Sequence, residues 1–179
     1  PPFEMDNRSK RSIVLDLTTD SGLATARQLI SGADVFITNV RPDALRRLGL
    51  DYPALAALNP RLVYGLITGY GETGPDANRP AYDVAAFWAR SGVAELLTKP
   101  GDTPPFQRGG MGDHLTGMTL AAAINAALVA RARTGEGQLV STSLYRQGAY
   151  TVSFDLNTFL LSGRPIAIVS RERAPPSRP

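Results

Sequence analysis

Short apolar runs and helix-spaced apolar positions alternate along the first part of the chain. Ile13, Leu15 and Leu17 alternate with Ser12, Val14 and Asp16 at a period of two, which predicts a strand, and residues 18–32 carry apolar side chains at helical spacing. Residues 33–40 and 61–68 are short, mostly apolar runs that predict buried strands, with a helix over residues 53–60 between them. This alternation predicts an α/β fold with a Rossmann-like parallel sheet, flanking helices and right-handed crossovers.

Two loops interrupt the second half of the chain. Residues 69–80 and 98–113 are rich in glycine and proline, and the first of these loops directly follows the third predicted strand. The remaining pattern predicts a helix over residues 82–93, a helix over 115–133, a strand over 137–144 and a helix over 145–161. Ligands of parallel α/β sheets bind beyond the carboxyl ends of the strands, so we expect a binding site at the first loop.

The composition excludes several kinds of chemistry. The 179 residues include no cysteine and a single histidine, His114. A disulfide framework, a thiol nucleophile, a thiolate metal site and a multi-histidine metal site are therefore excluded, and we expect no bound metal. Any catalysis has to rely on carboxylates, hydroxyls, arginines and backbone groups.

The positive charge is confined to the end of the chain. The formal net charge is +3, and residues 164–179 hold four arginines against one glutamate, so the charges of residues 1–163 cancel. The tail has no periodicity, which predicts disorder. We therefore expect an α/β domain over residues 1–163, a basic disordered tail over residues 164–179, and no nucleic-acid partner.

The sequence contains no recognisable targeting signal. The longest apolar stretch, around residues 121–130, is interrupted by Asn125 and is shorter than the roughly 18 residues that a bilayer span needs. The chain opens with PPFEMDNRSK, which has neither an initiator methionine nor the apolar core of a secretory signal. We therefore expect no membrane association, a cytoplasmic location, and a chain that is a piece of a longer protein.

The loop after the third predicted strand partly matches a dinucleotide-binding motif. Residues 69–74, GYGETG, fit the pattern G-x-G-x-x-G. In that motif the last glycine opens a helix whose N-terminus faces the pyrophosphate. Here Pro75 and Pro80, with Asp76 and Asn78 between them, favour a loop, so NAD binding is not expected.

A second glycine-rich string, GGMGDHLTG, places four glycines around Asp113 just before the longest predicted helix. Aspartate at such a position is often an N-cap, whose carboxylate accepts hydrogen bonds from the first N–H groups of the helix. The same glycines would let a substrate carbonyl approach a nucleophilic carboxylate at the helix start. The spacing favours the cap and leaves the nucleophile open, while His114 is expected to face solvent or to support the site indirectly.

Other charged positions allow two interpretations each. Asp83 suits the N-terminus of a helix, where the helix dipole favours an acid. Two basic clusters suit either a solvated surface or the recognition of phosphate groups. They are Arg8, Lys10 and Arg11, and Arg41, Arg46 and Arg47.

Six strings within residues 7–163 resemble the class III CoA-transferase family, which includes formyl-CoA transferase, carnitine CoA-transferases and α-methylacyl-CoA racemase. They occur in the family's order and spacing and are NRSKRSIVLDL, ADVFITNVRPDALRRLGLDY, NPRLVYGLITGYGETGP, RPAYD, GGMGD and ALVARARTGEGQLVSTSL. The resemblance implies that the α/β sheet is part of an interlocked CoA-transferase fold, in which two chains thread each other as a homodimer. Members of the family are much longer than this chain.

The resemblance implies that Asp113 is the catalytic carboxylate, which reverses the preference for a simple cap. It also implies that the protein binds coenzyme A in the form of its acyl-CoA substrate, with Tyr82 and Asp83 near the thioester end. The implied contacts to CoA are Asn7, Arg8, Lys10, Asn39, Val40 and Arg47.

The implied reaction moves CoA from an acyl-CoA thioester to a carboxylic acid through an aspartyl acyl-enzyme intermediate. The racemase branch of the family instead removes and returns an α-proton, and it carries a histidine where this chain has Tyr82. A phenol with a pKa of about 10 is a poor base at neutral pH, so a transferase is favoured over an epimerase. A non-catalytic fragment that serves dimerisation is the third alternative.

Overall fold

The computed structural model describes residues 2–164. Its elements in chain order are α1 (Pro2–Asp6), α2 (Asp20–Ser31), β1 (Val35–Thr38), α3 (Pro42–Leu48), α4 (Tyr52–Leu58), β2 (Val63–Thr68), a π-helix (Val84–Ala89), α5 (Val93–Leu96), α6 (Met111–Thr134), β3 (Leu139–Ser143), α7 (Leu144–Thr151) and α8 (Ser153–Ser162). The tail predicted to be disordered lies, apart from Arg164, outside the described residues.

The strands of the described chain form one parallel sheet in the order β1–β2–β3. Val35 of β1 pairs with Val63 of β2, and Tyr64 of β2 pairs with Leu139 of β3. Because the strands are parallel and joined by helical crossovers, their carboxyl ends lie at one edge of the sheet. The predicted α/β architecture with a parallel sheet and flanking helices is confirmed.

Helices cover both faces of the sheet. The cluster under α2, α3 and α4 consists of Ile30, Leu45, Leu50, Leu55, Leu62, Tyr64 and Leu66. The cluster under α6 consists of Val63, Leu120, Ile124 and Ala127. Helix α6 approaches the sheet closely at Gly65 of β2, where an added Cβ would lie 3.1 Å from Ile124 Cδ1.

A third cluster lies beside the carboxyl end of the sheet and joins the π-helix to α5 and α7. Its buried members are Ala86, Phe87, Trp88, Val93, Ala94 and Leu144. The hydroxyl of Ser91 donates a hydrogen bond to the Phe87 carbonyl inside the π-helix. This cluster anchors the segment that carries Tyr82 and Asp83.

The strand predicted over residues 11–17 is wrong, because this segment is irregular in the structure. Leu15 and Leu17 are half-buried and, with the exposed Ile13, line an apolar cavity of about 300 Å³ beside Phe36. The segment ends in a turn in which the backbone and hydroxyl of Thr18 donate to the Asp16 carboxylate, and these hydrogen bonds lower the pKa of Asp16. Apolar residues at every second position indicate that one side of a segment is buried. This holds whether or not the segment pairs with a strand.

Two predicted helices are each divided. The helix predicted over residues 82–93 is the π-helix followed by the separate helix α5, and the helix predicted over 145–161 is broken at Val152 into α7 and α8. Helix α3 was not predicted, although Pro42 in its first turn and Gly49 after its end, at φ 61°, are typical start and stop residues. The remaining predicted helices and strands lie within a few residues of the observed ones.

Helix α6 is long and apolar enough to cross a membrane, judged by length and composition only, with a mean hydropathy of 1.4 over its most apolar 18 residues. The expectation that no stretch of the chain is long and apolar enough to span a membrane was therefore wrong. In the structure, Leu120, Ile124 and Ala127 of α6 are buried against the sheet. Other apolar side chains of the helix, among them Met118 and Val129, are exposed in the structure.

Candidate functional site

A cavity of about 250 Å³ lies at the carboxyl end of the sheet, where parallel α/β folds bind their ligands. Strand β2 and the following Gly69 form its floor, and the loop before the π-helix and the first turn of α6 form its walls. Its lining is Asn39, Ile67, Thr68, Gly69, Ala81, Tyr82, Asp83, Asp113 and Leu144. Two larger cavities, of about 330 and 300 Å³, lie against α3 and do not include Asp113.

The structure brings four of the predicted site residues together at this cavity. Asn39 follows β1, Tyr82 and Asp83 precede the π-helix, and Asp113 lies in the first turn of α6. These residues are distant in the sequence and meet because the strand ends and the α6 start share one edge of the sheet. The loop over residues 69–80 contributes only Gly69 to the cavity and does not open a helix, as its prolines predicted.

Asp113 presents a free carboxylate to the cavity. Its side chain is exposed, and no hydrogen bond to its carboxylate oxygens occurs among the described residues. The N-cap of α6 is Gly110, at φ 74°, which has no side chain that could cap the helix. The prediction of Asp113 as an N-cap is therefore wrong.

Asp83 caps α6 in place of Asp113. One carboxylate oxygen of Asp83 lies 2.9 Å from the Gly112 nitrogen and 3.3 Å from the Asp113 nitrogen, and both N–H groups donate to it. The other oxygen accepts from the side-chain amide of Gln107 at 2.7 Å and from Gly112 at 3.1 Å. The Asp83 carboxylate is thus occupied by protein donors on both oxygens, unlike that of Asp113.

Gly112 is required by the packing of this region. A Cβ at position 112 would overlap the Asp83 carboxylate and the Phe87 side chain. The glycine therefore lets the first turn of α6 come close to the segment that carries Asp83. In the sequence it suggested room for a substrate, but the space is filled by the protein itself.

The surroundings of Asp113 oppose its ionisation. Partial burial raises the pKa of Asp113, the negative charge of Asp83 raises it further, and His114 lowers it. The imidazole of His114 lies 3.3 Å from the Asp6 carboxylate and does not line the cavity. His114 therefore follows Asp113 in the first turn of α6 and lies outside the cavity lining.

The segment after α1 lies near the start of α6 through the contact of Asp6 with His114. The amide of Asn7 donates to the Phe3 carbonyl at 2.8 Å, and the ammonium group of Lys10 donates to the Asp6 carbonyl at 2.5 Å. Arg8 is exposed. These predicted CoA contacts are close to the helix that carries Asp113, but they do not line the cavity.

The other predicted contacts follow β1. Asn39 and Val40 line a small cavity of about 60 Å³ that adjoins the main one and is bordered by Arg41 and Arg79. Arg47 is exposed on α3 and lines neither cavity.

Gln107 is a residue of the site that the sequence did not reveal. It lies in the loop before α6, has only 6% of its surface exposed, and donates a hydrogen bond to the Asp83 carboxylate. No periodicity or motif marks a glutamine in such a loop, so the sequence carried no usable signal for it. Among the described residues there is no cluster of three or more side chains suited to hold a metal ion.

Comparison with known proteins identifies the family. Residues 1–178 match the family model of CoA-transferase family III. The chain is 41% identical over 148 residues to cinnamoyl-CoA:phenyllactate CoA-transferase of Clostridium sporogenes, covering 83% of this chain and 36% of that enzyme. It is 42% identical over 165 residues to succinate–glutarate CoA-transferase of Agrobacterium fabrum, covering 91% of this chain and 40% of that enzyme.

The fold agrees with this assignment. A crystal structure of a CAIB/BAIF family protein from Brucella suis superposes with a TM-score of 0.83 at 38% identity, covering 89% of this chain and 42% of that one. The chain thus spans about two fifths of the length of the proteins it matches. Sequence and fold agree that the chain belongs to CoA-transferase family III.

Proposed function

We propose that the protein transfers CoA from an acyl-CoA thioester to a carboxylic acid, with Asp113 as the nucleophile that carries the acyl group. The observation that carries the proposal is the Asp113 carboxylate, which lines the cavity at the carboxyl end of the sheet and has no hydrogen-bond donor among the described residues. The neighbouring Asp83 carboxylate is instead occupied by protein donors on both oxygens.

The first half of the reaction transfers CoA to the enzyme. The Asp113 carboxylate attacks the thioester carbonyl, the carbon–sulfur bond breaks, and an acyl-aspartyl anhydride and CoA thiolate result. The thiolate then attacks the aspartyl carbonyl of the anhydride. This step releases the donor carboxylate and leaves an aspartyl-CoA thioester.

The second half reverses these steps with the acceptor. The incoming carboxylate attacks the aspartyl thioester, which forms a second anhydride and frees the thiolate again. The thiolate attacks the acyl carbon of the acceptor, giving the new acyl-CoA and regenerating the Asp113 carboxylate. Contacts to the remote nucleotide of CoA would retain the thiolate between steps, so that each attack is effectively intramolecular.

The raised pKa of Asp113 suits a nucleophile. Partial burial and the charge of Asp83 make the Asp113 carboxylate more basic than an ordinary one. Nucleophilicity rises with basicity, and a carboxylate remains ionised at neutral pH as long as its pKa stays below that pH. Attack on the thioester also removes the charge that this environment disfavours.

CoA is the substrate group that the remaining site residues would bind. Lys10, Arg8 and Arg47 supply cations for its phosphates, and the residues Asn39 and Val40 lie where the chain leaves β1 beside the cavity. The name of the first relative pairs cinnamoyl-CoA with phenyllactate, and the name of the second pairs the carboxylates succinate and glutarate. A carboxylic acid is therefore the acceptor class that we assign to this chain.

A homodimer is part of the proposal. Helix α8 has no buried residue, and its side chains Phe154 and Leu161 are 82% and 90% exposed. Surface of this kind supports the interlocked pair of chains that the family resemblance implies.

The nucleophile is tested by trapping the acyl-enzyme. The protein, purified at the length its gene encodes, is incubated with acyl-CoA and hydroxylamine, which converts an aspartyl anhydride or thioester into a hydroxamate. We expect the hydroxamate at Asp113, and a loss of transfer of about 10²-fold or more in Asp113→Asn, because the amide cannot form the intermediate.

The matched control is Asp102→Asn, which alters an exposed carboxylate of the loop before α6. This variant should retain the label at Asp113 and the activity of the unaltered protein. Transfer that survives in Asp113→Asn, with no hydroxamate at position 113, would overturn the proposed function.

A further inference from the structure

Gln107 is a buried polar side chain in a loop whose neighbours are exposed. Residues 101–106 are all exposed, whereas Gln107 has 6% of its surface accessible. Burying an amide is unfavourable unless it is hydrogen-bonded, and its Nε2 donates to Asp83 Oδ1 at 2.7 Å. A donor to an ionised carboxylate forms one of the stronger hydrogen bonds in proteins. The loop before α6 is therefore held to Asp83 by this side chain.

Asp83 in turn takes the donors that Asp113 would otherwise use. Asp113 is the third residue of α6, and an acid in the first turn of a helix is ordinarily stabilised by the free N–H groups there. The N–H groups of Gly112 and Asp113 instead donate to Asp83. The Asp113 carboxylate is thereby left without a donor, facing the cavity.

We propose that Gln107 is a positioning residue of the transferase: it holds Asp83 against the first turn of α6, so that Asp83 rather than Asp113 occupies the helix N–H groups and the Asp113 carboxylate stays free for attack. This inference rests on the proposed function of Asp113. Gln107 does not line the cavity and so touches neither CoA nor the acyl group.

Among residues 2–164, charged and titratable groups approach Asp113 from the segment before the π-helix and from α6 itself. Asp83 approaches from the segment before the π-helix, His114 is its neighbour on α6 and is paired with Asp6 of α1, and the Tyr82 phenol lines the same cavity. The negative charge of Asp83 is offset by three donors, one of which is Gln107. Removing that donor would let Asp83 move away from the first turn of α6, which would make the helix N–H groups available to Asp113.

Two substitutions should therefore shift the acid limb of the pH–rate profile to lower pH. Gln107→Leu releases Asp83 from the first turn of α6, so Asp113 should gain the helix N–H donors, its carboxylate should protonate at lower pH and the acid limb should move down. Asp83→Asn removes the negative charge at nearly the same shape, so the acid limb should move down. The measurement is the single-turnover release of CoA thiol from acyl-CoA over acidic to neutral pH.

The rate at neutral pH separates positioning from binding. In Gln107→Leu we expect kcat to fall about 10- to 100-fold, since misplacement of a reacting group by about 1 Å costs rate on this scale. The KM for acyl-CoA should be unchanged, because Gln107 does not touch the substrate. Gln28→Leu, an exposed glutamine of α2, is the matched control and should change neither quantity.

The outcomes distinguish this inference from the function on which it rests. If Asp113→Asn is inactive while Gln107→Leu and Asp83→Asn leave the acid limb in place, the positioning role is wrong and the nucleophile stands. If Asp113→Asn is fully active, the function itself is wrong. Should Gln107→Leu fail to fold, Gln107→Met, which keeps the length of the side chain and lacks the donor, is the second variant and should give the same downward shift.

Discussion

Two aspartates at the start of α6 have the same chemistry and opposite surroundings. Asp83 is half-buried and receives hydrogen bonds on both oxygens. Asp113 lines the cavity, where partial burial together with the charge of Asp83 raises its pKa. The two carboxylates differ in which of them accepts hydrogen bonds from the helix N–H groups.

The raised pKa of Asp113 has a measurable consequence for stability. A carboxyl group whose pKa is higher in the folded than in the unfolded state binds protons more tightly when folded, so its ionisation costs stability as pH rises through that window. We therefore expect Asp113→Asn to raise the urea midpoint of unfolding at neutral pH. The gain should disappear below pH 3.8, the ordinary pKa of an aspartate side chain, because both states are protonated there.

Asp102→Asn serves as the control for this prediction, because the Asp102 side chain is exposed in the loop before α6. The urea midpoint of Asp102→Asn should equal that of the unaltered protein both at neutral pH and below pH 3.8. A lower midpoint for Asp113→Asn at neutral pH would show that the Asp113 carboxylate stabilises the fold and is not strained by its site.

At the scale of elements, the site depends on the close approach of α6 to the π-helix. Gly112 permits the approach, and Phe87 of the π-helix fills the space beside it. π-Helical turns are rare and frequently occur at functional sites. Here the π-helix directly follows Asp83, and its apolar side packs with α5 and α7 in one buried cluster.

The approach is tested by comparing two glycines of α6. Gly112→Ala should lower the free energy of unfolding by about 1–3 kcal/mol, because its Cβ overlaps Asp83 and Phe87. Gly117→Ala should raise it by about 0.5–1 kcal/mol, because a Cβ there meets nothing within 4 Å and alanine favours the helix. Urea unfolding measures both. Equal effects of the two substitutions would contradict the close packing at Gly112.

At the scale of the whole molecule, residues from distant parts of the chain surround one cavity. Segments after β1 and β2, the first turn of α6 and the start of α7 all contribute to its lining. The segment after α1 adds basic residues nearby, linked through Asp6 and His114. A ligand as long as CoA would contact several of these segments at once and so stabilise the whole fold.

This stabilisation can be measured by thermal unfolding with CoA. A ligand that binds only the folded state at about 100 times its Kd adds about 2.7 kcal/mol, so the unfolding temperature should rise. The double substitution Arg8→Ala and Lys10→Ala should reduce the rise, because it removes cations for the phosphates. Arg133→Ala, an exposed arginine at the far end of α6, is the matched control. An unchanged temperature with CoA would contradict the binding of CoA.

The sequence by itself determined the elements that depend on local order. Periodicity and stop residues placed α2, α6 and the three strands, since side-chain spacing and helix termination are properties of neighbouring residues. The same reasoning failed for residues 11–17, because alternation records a buried face and does not record a strand partner. Family resemblance, and not spacing, singled out Asp113.

Only the tertiary structure decided which aspartate caps α6. Asp83 and Asp113 are 30 positions apart, and their competition for the same N–H groups exists only after the π-helix has packed beside α6. Gln107 likewise acquires its role from a contact across 24 positions. Hydrogen bonds between distant segments depend on three-dimensional proximity, and no local pattern of residue types encodes that proximity.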